Sequence, residues 1–412
     1  LNILMLPVRS FQSVSVGIFV KVGSRYERAD QAGISHFIEH MLFKGTPRRP
    51  SAKLIAEAIE GIGGLSNAYT SQEMTVYYAK VAANQAHTAI DVLTDMIRHP
   101  LFEADQVEKE RQVIGEEINM TYDDPDSWVN ILLDEVIWPN HPLGQDVAGS
   151  HESLAKIKRT GLHDFYQASY HPQNLLVAVG GAFEAEEMVT QIAEQLGEWE
   201  PGQPPAFASA PPVQSKARWL VEDRPIEQGH LCLALPALTR THPDRYALSV
   251  MNAVLGEGMS SRLFLNIREE RGLAYAVDSG LNLLQDTSSW VIYAGVDPER
   301  GPEALAAILA ELERLRDEPI PAEELHKAKE YLKGRLVLGL EDSFSQISWV
   351  ASQKLLMDQI KLPAEVLQAY DAVTAAAVQA VAQKLIVPTA YNLAAVGPFG
   401  AGDALARLLT DL

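Results

Sequence analysis

Cysteine is nearly absent. The 412-residue chain has one, Cys232, inside an apolar run, so no disulfide can form within the chain. A disulfide-stapled scaffold is excluded, and a small buried apolar thiol is the expected role. Long apolar runs are absent too: no stretch approaches the roughly 20 residues that cross a bilayer as a helix. The start, Leu1-Asn2-Ile3-Leu4-Met5-Leu6-Pro7, has no basic region and no small-residue cleavage site, so it does not read as a secretory leader. It lacks an initiating Met, and the expected compartment is cytoplasmic. Cations are scarce: 34 Lys and Arg against 54 Asp and Glu give a net charge of −20. Nucleic-acid binding is disfavoured, because phosphate contacts draw on Lys and Arg.

What is present is a globular balance, 47% hydrophobic and 21% charged residues, in a chain too long for one ordinary core. Pro201, Pro204, Pro205, Pro211 and Pro212 crowd one short Ala/Gly/Ser-rich stretch. Proline fits poorly inside helices and sheets, so 201–216 reads as a stiff linker between a half at 1–200 and a half at 217–412. The halves repeat weakly. Thr75-Val-Tyr-Tyr-Ala-Lys-Val81 resembles Trp290-Val-Ile-Tyr-Ala-Gly-Val296, and a helical pattern follows each.

The first half carries His36-Phe37-Ile38-Glu39-His40. Ile34, Phe37, Ile38, Met41 and Leu42 make an apolar stripe at helical spacing. Asp30 is the expected N-cap, and Gly45 and Pro47 end the helix. Positions i and i+4 share a helix face, so both imidazoles reach one metal ion, and Glu39 points the same way. That is the residue set of a zinc-peptidase helix in the reverse of the HExxH order. Zinc needs a third protein ligand and an open fourth position. A helical pattern from about 103 to 122 offers Glu110, Glu116 and Glu117.

HFIEHMLFKGT at 36–46, with Glu117 separated from His40 by 76 residues inside an Glu110-Arg111…Glu117 run, resembles the pitrilysin, insulinase and mitochondrial processing peptidase family. The resemblance implies His36, His40 and Glu117 as ligands of one Zn2+ per chain. It implies Glu39 as general base and Glu110 as a carboxylate orienting a ligand. It also implies a fold: α+β, in two homologous halves, each a mostly antiparallel sheet with helices packed largely on one face.

In the second half, Val250-Met251-Asn252-Ala253-Val254 falls opposite the metal pentapeptide and offers no ligand, as in the family's inactive half. Arg268 and Tyr275 resemble the family's Arg/Tyr pair, which hydrogen-bonds the scissile carbonyl; Arg271 is a rival for the arginine. Asn67, Ala68 and Tyr69 resemble the edge strand on which the family's peptide substrate lies by strand addition. The implied activity is that of a zinc metalloendopeptidase acting on peptides or unfolded segments in an enclosed chamber, and the acidic charge suits basic peptides. The implied assembly is a homodimer, or a heterodimer with a sister subunit. The alternative is a non-catalytic core subunit of the same family.

Overall fold

The computed structural model describes residues 1–410, and among these, ten strands form two five-stranded sheets. The first sheet has β1 (Asn2–Pro7), β2 (Ser13–Val20), β3 (Leu65–Thr70), β4 (Thr75–Ala82) and β5 (Leu175–Gly181), ordered β1-β5-β2-β4-β3. The second has β6 (Arg218–Asp223), β7 (Gly229–Pro236), β8 (Ala274–Leu283), β9 (Ser288–Val296) and β10 (Asn392–Gly397), ordered β6-β10-β7-β9-β8. The two orders correspond strand for strand. In each, one outer pair is parallel, β1 with β5 and β6 with β10, and the other pairs are antiparallel. The expected α+β fold of two homologous halves is therefore present, with a mixed edge that alternation alone does not reveal.

The first sheet buries both faces, by different means. Val14, Val16, Ile18 and Val20 of β2 point to one face, where they meet Ile34, Phe37, Ile38, Met41 and Leu42. That is the stripe read from sequence, on a helix spanning Ile34–Leu42. Phe19, Val76, Leu176 and Ala178 point to the other face and meet Ile347 and Ala351. Those two belong to the helix Ser343–Met357, which lies far along the chain in the second half. The second sheet shows the reciprocal arrangement. Cys232, Ala234, Ala394 and Val396 pack on Val129, Leu132 and Leu133 of the helix Pro125–Ile137, which lies in the first half.

The compact units therefore do not follow a cut into contiguous halves. One comprises Leu1–Met120, Gln145–Ala208 and Gly339–Lys361; the other comprises Thr121–Gly144, Ser209–Leu338 and Leu362–Leu412. Each half of the sequence gives one helix to the other half's sheet. The stretch 201–214 has no regular structure, as its prolines require. No helix among the described residues is long and apolar enough to cross a membrane.

Small residues admit the donated helix. A Cβ on Gly180 of β5 would sit 2.5 Å from Ile347 Cγ2. Ser15 and Ser343 hydroxyls meet at 2.8 Å, and the Tyr78 and Phe344 rings stack with centroids 3.9 Å apart. Ile347 is fully buried. Ile347→Ala is expected to cost about 2–4 kcal/mol in chemical unfolding, the usual range for emptying an isoleucine-sized site. A loss under about 1 kcal/mol would show that this contact does not hold the helix to the sheet.

Candidate metal centre

The helix Ile34–Leu42 has only nine residues, so its first turn matters. Asp30 does not cap it; its carboxylate pairs with Arg28 at 3.0 and 2.8 Å. The cap comes from Glu27, whose oxygens accept the Gly33 and Ser35 backbone N–H groups at 2.7 Å each. Gly33 enters the helix at φ 92°, and a Cβ there would lie 2.4 Å from the Ala148 carbonyl oxygen. Glycine is the residue that fits.

Just upstream, the same loop holds the β3–β4 hairpin. Ser24 N–H donates to Ser71 O at 3.2 Å and Arg25 N–H to Gln72 O at 3.0 Å. The Arg25 guanidinium, fully buried, pairs with Glu73 at 2.6 Å and lies 3.7 Å over the Phe207 ring. A Cβ on Gly23 would sit 2.0 Å from Ser71 O, so the two backbones pass too closely for any other residue.

On the less buried side of the short helix, the partly buried His36 and His40 rings are 4.7 Å apart at 72°. Glu117 arrives from the helix Ala104–Asp123. Its Oε2 lies 3.8 Å from His36 Nε2 and 3.5 Å from His40 Nε2. Ligand atoms bound at about 2.0–2.1 Å around a tetrahedral zinc are about 3.4 Å apart, so the spacing suits one such ion. One ligand atom from each of the three residues lies within 4.8 Å of the other two, the one such grouping among the described residues. Of the other two candidate carboxylates, Glu116 is exposed and lies 3.5 Å from Asn119 Nδ2. Glu110 is buried and meets His40 Nδ1 at 3.1 Å. With Nδ1 engaged by a carboxylate, Nε2 is the nitrogen left to bind a metal.

Lys44, one turn beyond His40, pairs with Glu110 at 2.7 Å. Burial opposes ionisation of Glu110, but hydrogen bonds from His40 and Lys44 outweigh it and hold its pKa below the ordinary value. The imidazoles shift in opposite directions. Burial, then the charge of His40, lowers His36 to about 4. Burial also disfavours the charged form of His40, but the Glu110 hydrogen bond and the charges of Glu117, Glu39 and Glu110 outweigh it and raise the pKa. Burial raises Glu39 against a hydrogen bond from Thr70, and Glu117 adds to the rise. Two imidazoles and several carboxylates facing one point favour a divalent cation, and two nitrogens with one oxygen suit zinc. Lys44 and Thr70 escaped the sequence reading. Lys44 had a signal, its i+4 spacing from His40.

Of the residues expected to bind substrate, Asn67, Ala68 and Tyr69 lie on β3, the edge strand of the first sheet. Ala68 faces the histidine helix and Tyr69 the opposite side, against Tyr78 and Phe344. Asn67 Oδ1 accepts the Ala68 backbone N–H at 2.8 Å. In the second unit the structure brings Arg268 and Tyr275 together: the guanidinium lies 5.5 Å from the Tyr275 ring centroid. Arg268 sits in a π-helical stretch, Phe264–Glu270, and Tyr275 at a register shift between Ala274 and Ala276 of β8. Both irregularities recur where a side chain must be aimed. Tyr275 is 78% exposed, whereas Arg271 turns to Glu303 at 3.4 Å.

Comparison with proteins of known structure defines the class first. A protease from Helicobacter pylori has the same fold, with TM-score 0.90 at 24% identity over 96% of each chain. The likeness is one of fold, two similar α+β units in one chain. Residues 7–151 match the family described as insulinase (peptidase family M16), and residues 156–332 match its partner description, the peptidase M16 inactive domain. A Bacillus subtilis protein named uncharacterized zinc protease YmxG is 36% identical, covering 94% of each chain. A Mycobacterium leprae protein named uncharacterized zinc protease ML0855 is 37% identical, covering 97% of this chain and 90% of its own. The chain belongs to the M16, or insulinase, family of peptidases.

The Glu27 cap generates a pH prediction. Burial pushes its carboxyl from 4.5 up to about 7, against the N–H groups that favour its charge. Its folded-state pKa is raised, so this contribution to stability is full below pH 4.5 and is lost as pH rises through about 7. The unfolding free energy of the wild type should therefore fall between pH 5 and 8 by more than that of Glu27→Gln, by up to about 3 kcal/mol. Parallel pH profiles for the two proteins would refute a neutral, buried Glu27.

Proposed function

We propose that this chain is a zinc-dependent endopeptidase that hydrolyses peptides or unfolded segments in an enclosed chamber. The observation that carries the reading is the approach of His36, His40 and Glu117, with their ligand atoms within 4.8 Å of one another. Membership in a family with relatives named zinc proteases supports it. His36 and His40, through Nε2, and Glu117, through its carboxylate, hold one zinc ion per chain. When bound, zinc supplies Lewis acidity, lowering the pKa of a water molecule and polarising the peptide carbonyl.

The chain's own residues do the rest. Glu39 takes the proton of the attacking water and passes it to the leaving amine. Glu110 holds His40 in the tautomer that presents Nε2. The edge of β3 at Asn67, Ala68 and Tyr69 binds the substrate main chain by strand addition, which gives affinity with little sequence choice. Arg268 and Tyr275 donate hydrogen bonds to the oxyanion that develops on the carbonyl. The chain works as a homodimer, in which the Arg268/Tyr275 pair of one copy serves the zinc of the other.

Purified protein should cleave a quenched fluorescent basic peptide, lose activity with EDTA, and regain it with zinc. Glu39→Gln should keep its zinc and lose at least ~10³-fold in rate; His36→Ala should lose zinc as well. Normal turnover by Glu39→Gln, or a wild-type chain that binds no zinc, would remove the reading. Zinc binding without activity on any peptide would favour the non-catalytic subunit. Mixing Glu39→Gln with a chain carrying Arg268→Ala and Tyr275→Phe should restore cleavage, because the mixed dimer holds one whole site. No restoration would assign the pair to its own chain.

A further inference from the structure

Glu39 is held by a residue of the edge strand. Thr70 ends β3, and its Oγ1 lies 2.5 Å from Glu39 Oε2. The other oxygen near that hydroxyl belongs to Thr75, at 3.4 Å. A threonine hydroxyl has one proton to give. Thr75 gives its own to Val22 O at 2.9 Å. The charge and the shorter distance direct the Thr70 proton to Glu39. One lone pair of Glu39 Oε2 is thereby engaged, which fixes the orientation of the carboxylate and leaves Oε1 free of this bond.

The same residue stands at the free edge of the sheet. The hairpin closes with Ser71 N–H on Met74 O at 2.9 Å, which makes Ser71/Met74 a hydrogen-bonded pair. Bonded and non-bonded pairs alternate along an antiparallel ladder. Thr70/Thr75 and Ala68/Tyr77 are then non-bonded pairs, so the peptide groups of Thr70 and Ala68 face outward. The Ala68 N–H agrees, since it is taken by the Asn67 side chain rather than by β4. Thr70 thus presents its main chain to whatever pairs with the edge, and its hydroxyl to Glu39.

We propose that Thr70 is a positioning residue for Glu39, fixing which carboxylate oxygen faces the reacting water and coupling that orientation to a peptide strand paired on β3. The inference rests on the peptidase reading for its kinetic consequence, but not for its structural one. Thr70→Val keeps the branched shape and removes the donor; Thr70→Ser keeps the donor. Thr70→Val should retain zinc, unfolding midpoint and KM, while kcat falls ~10–100-fold, the worth of a hydrogen bond to a charged group. Thr70→Ser should recover kcat to within ~3-fold of wild type. In crystal structures of the zinc-free variants, the Glu39 carboxylate should leave its single orientation in Thr70→Val and keep it in Thr70→Ser.

An unchanged kcat in Thr70→Val would overturn the proposal. So would a Thr70→Ser variant as slow as Thr70→Val, or a Glu39 orientation indifferent to both changes. If the wild-type chain binds zinc yet cleaves no peptide, the peptidase reading fails, and the Glu39 orientation in the two variant structures still decides the role of Thr70.

Discussion

A nine-residue helix is marginal in water, so the histidine helix owes its position to what it is packed against. Its buried stripe sits on β2, and its first turn is closed by Glu27. The loop that carries Glu27 also grips the β3–β4 turn through Ser24, Arg25 and the close passage at Gly23. One stretch of backbone therefore sets both the imidazole-bearing face and the edge strand beside it. The placement of Glu39 relative to β3 follows from that shared anchor. Thr70 bridges the same gap from the strand side.

The electrostatics of the site show a division of labour. Glu117 faces both Nε2 atoms, while Glu110 stands behind His40 and is itself tied to Lys44. Without Lys44, Glu110 would add a further uncompensated negative charge to a half-buried cluster. With it, Glu110 stays ionised and accepts from Nδ1. The second unit holds a different kind of feature. Arg268 and Tyr275 are set by a π-helical stretch and a strand irregularity, two local departures from regular geometry. The corresponding helix there, Arg245–Gly256, is mostly buried, and its Asn252 accepts from Ser279 and Trp290 of its sheet at 2.7 Å each.

Much of this could be read from the chain. The apolar spacing around HFIEH, the i,i+4 histidines and the downstream glutamates all reduce to helix periodicity, which is local. The repeat between β4 and β9 is local too. What escaped the sequence depends on residues far apart. Asp30 carries the usual N-cap signature, yet Glu27 takes that role because the loop folds back on the helix, and no spacing rule encodes such a return. The helices Pro125–Ile137 and Ser343–Met357 are plain in the apolar pattern, but periodicity says nothing of which sheet a helix will cover. A contiguous cut of the chain missed their exchange for that reason.

That exchange sets the order in which the protein can be completed during synthesis. The hydroxyls of Ser15 and Ser343, which touch across the first sheet, are 328 residues apart in sequence. While the chain emerges from the ribosome, the face of β2, β4 and β5 carrying Phe19, Val76, Leu176 and Ala178 must wait uncovered for residues 343–357. The nascent first unit is thus an apolar sheet surface in search of a cover, a state prone to aggregation.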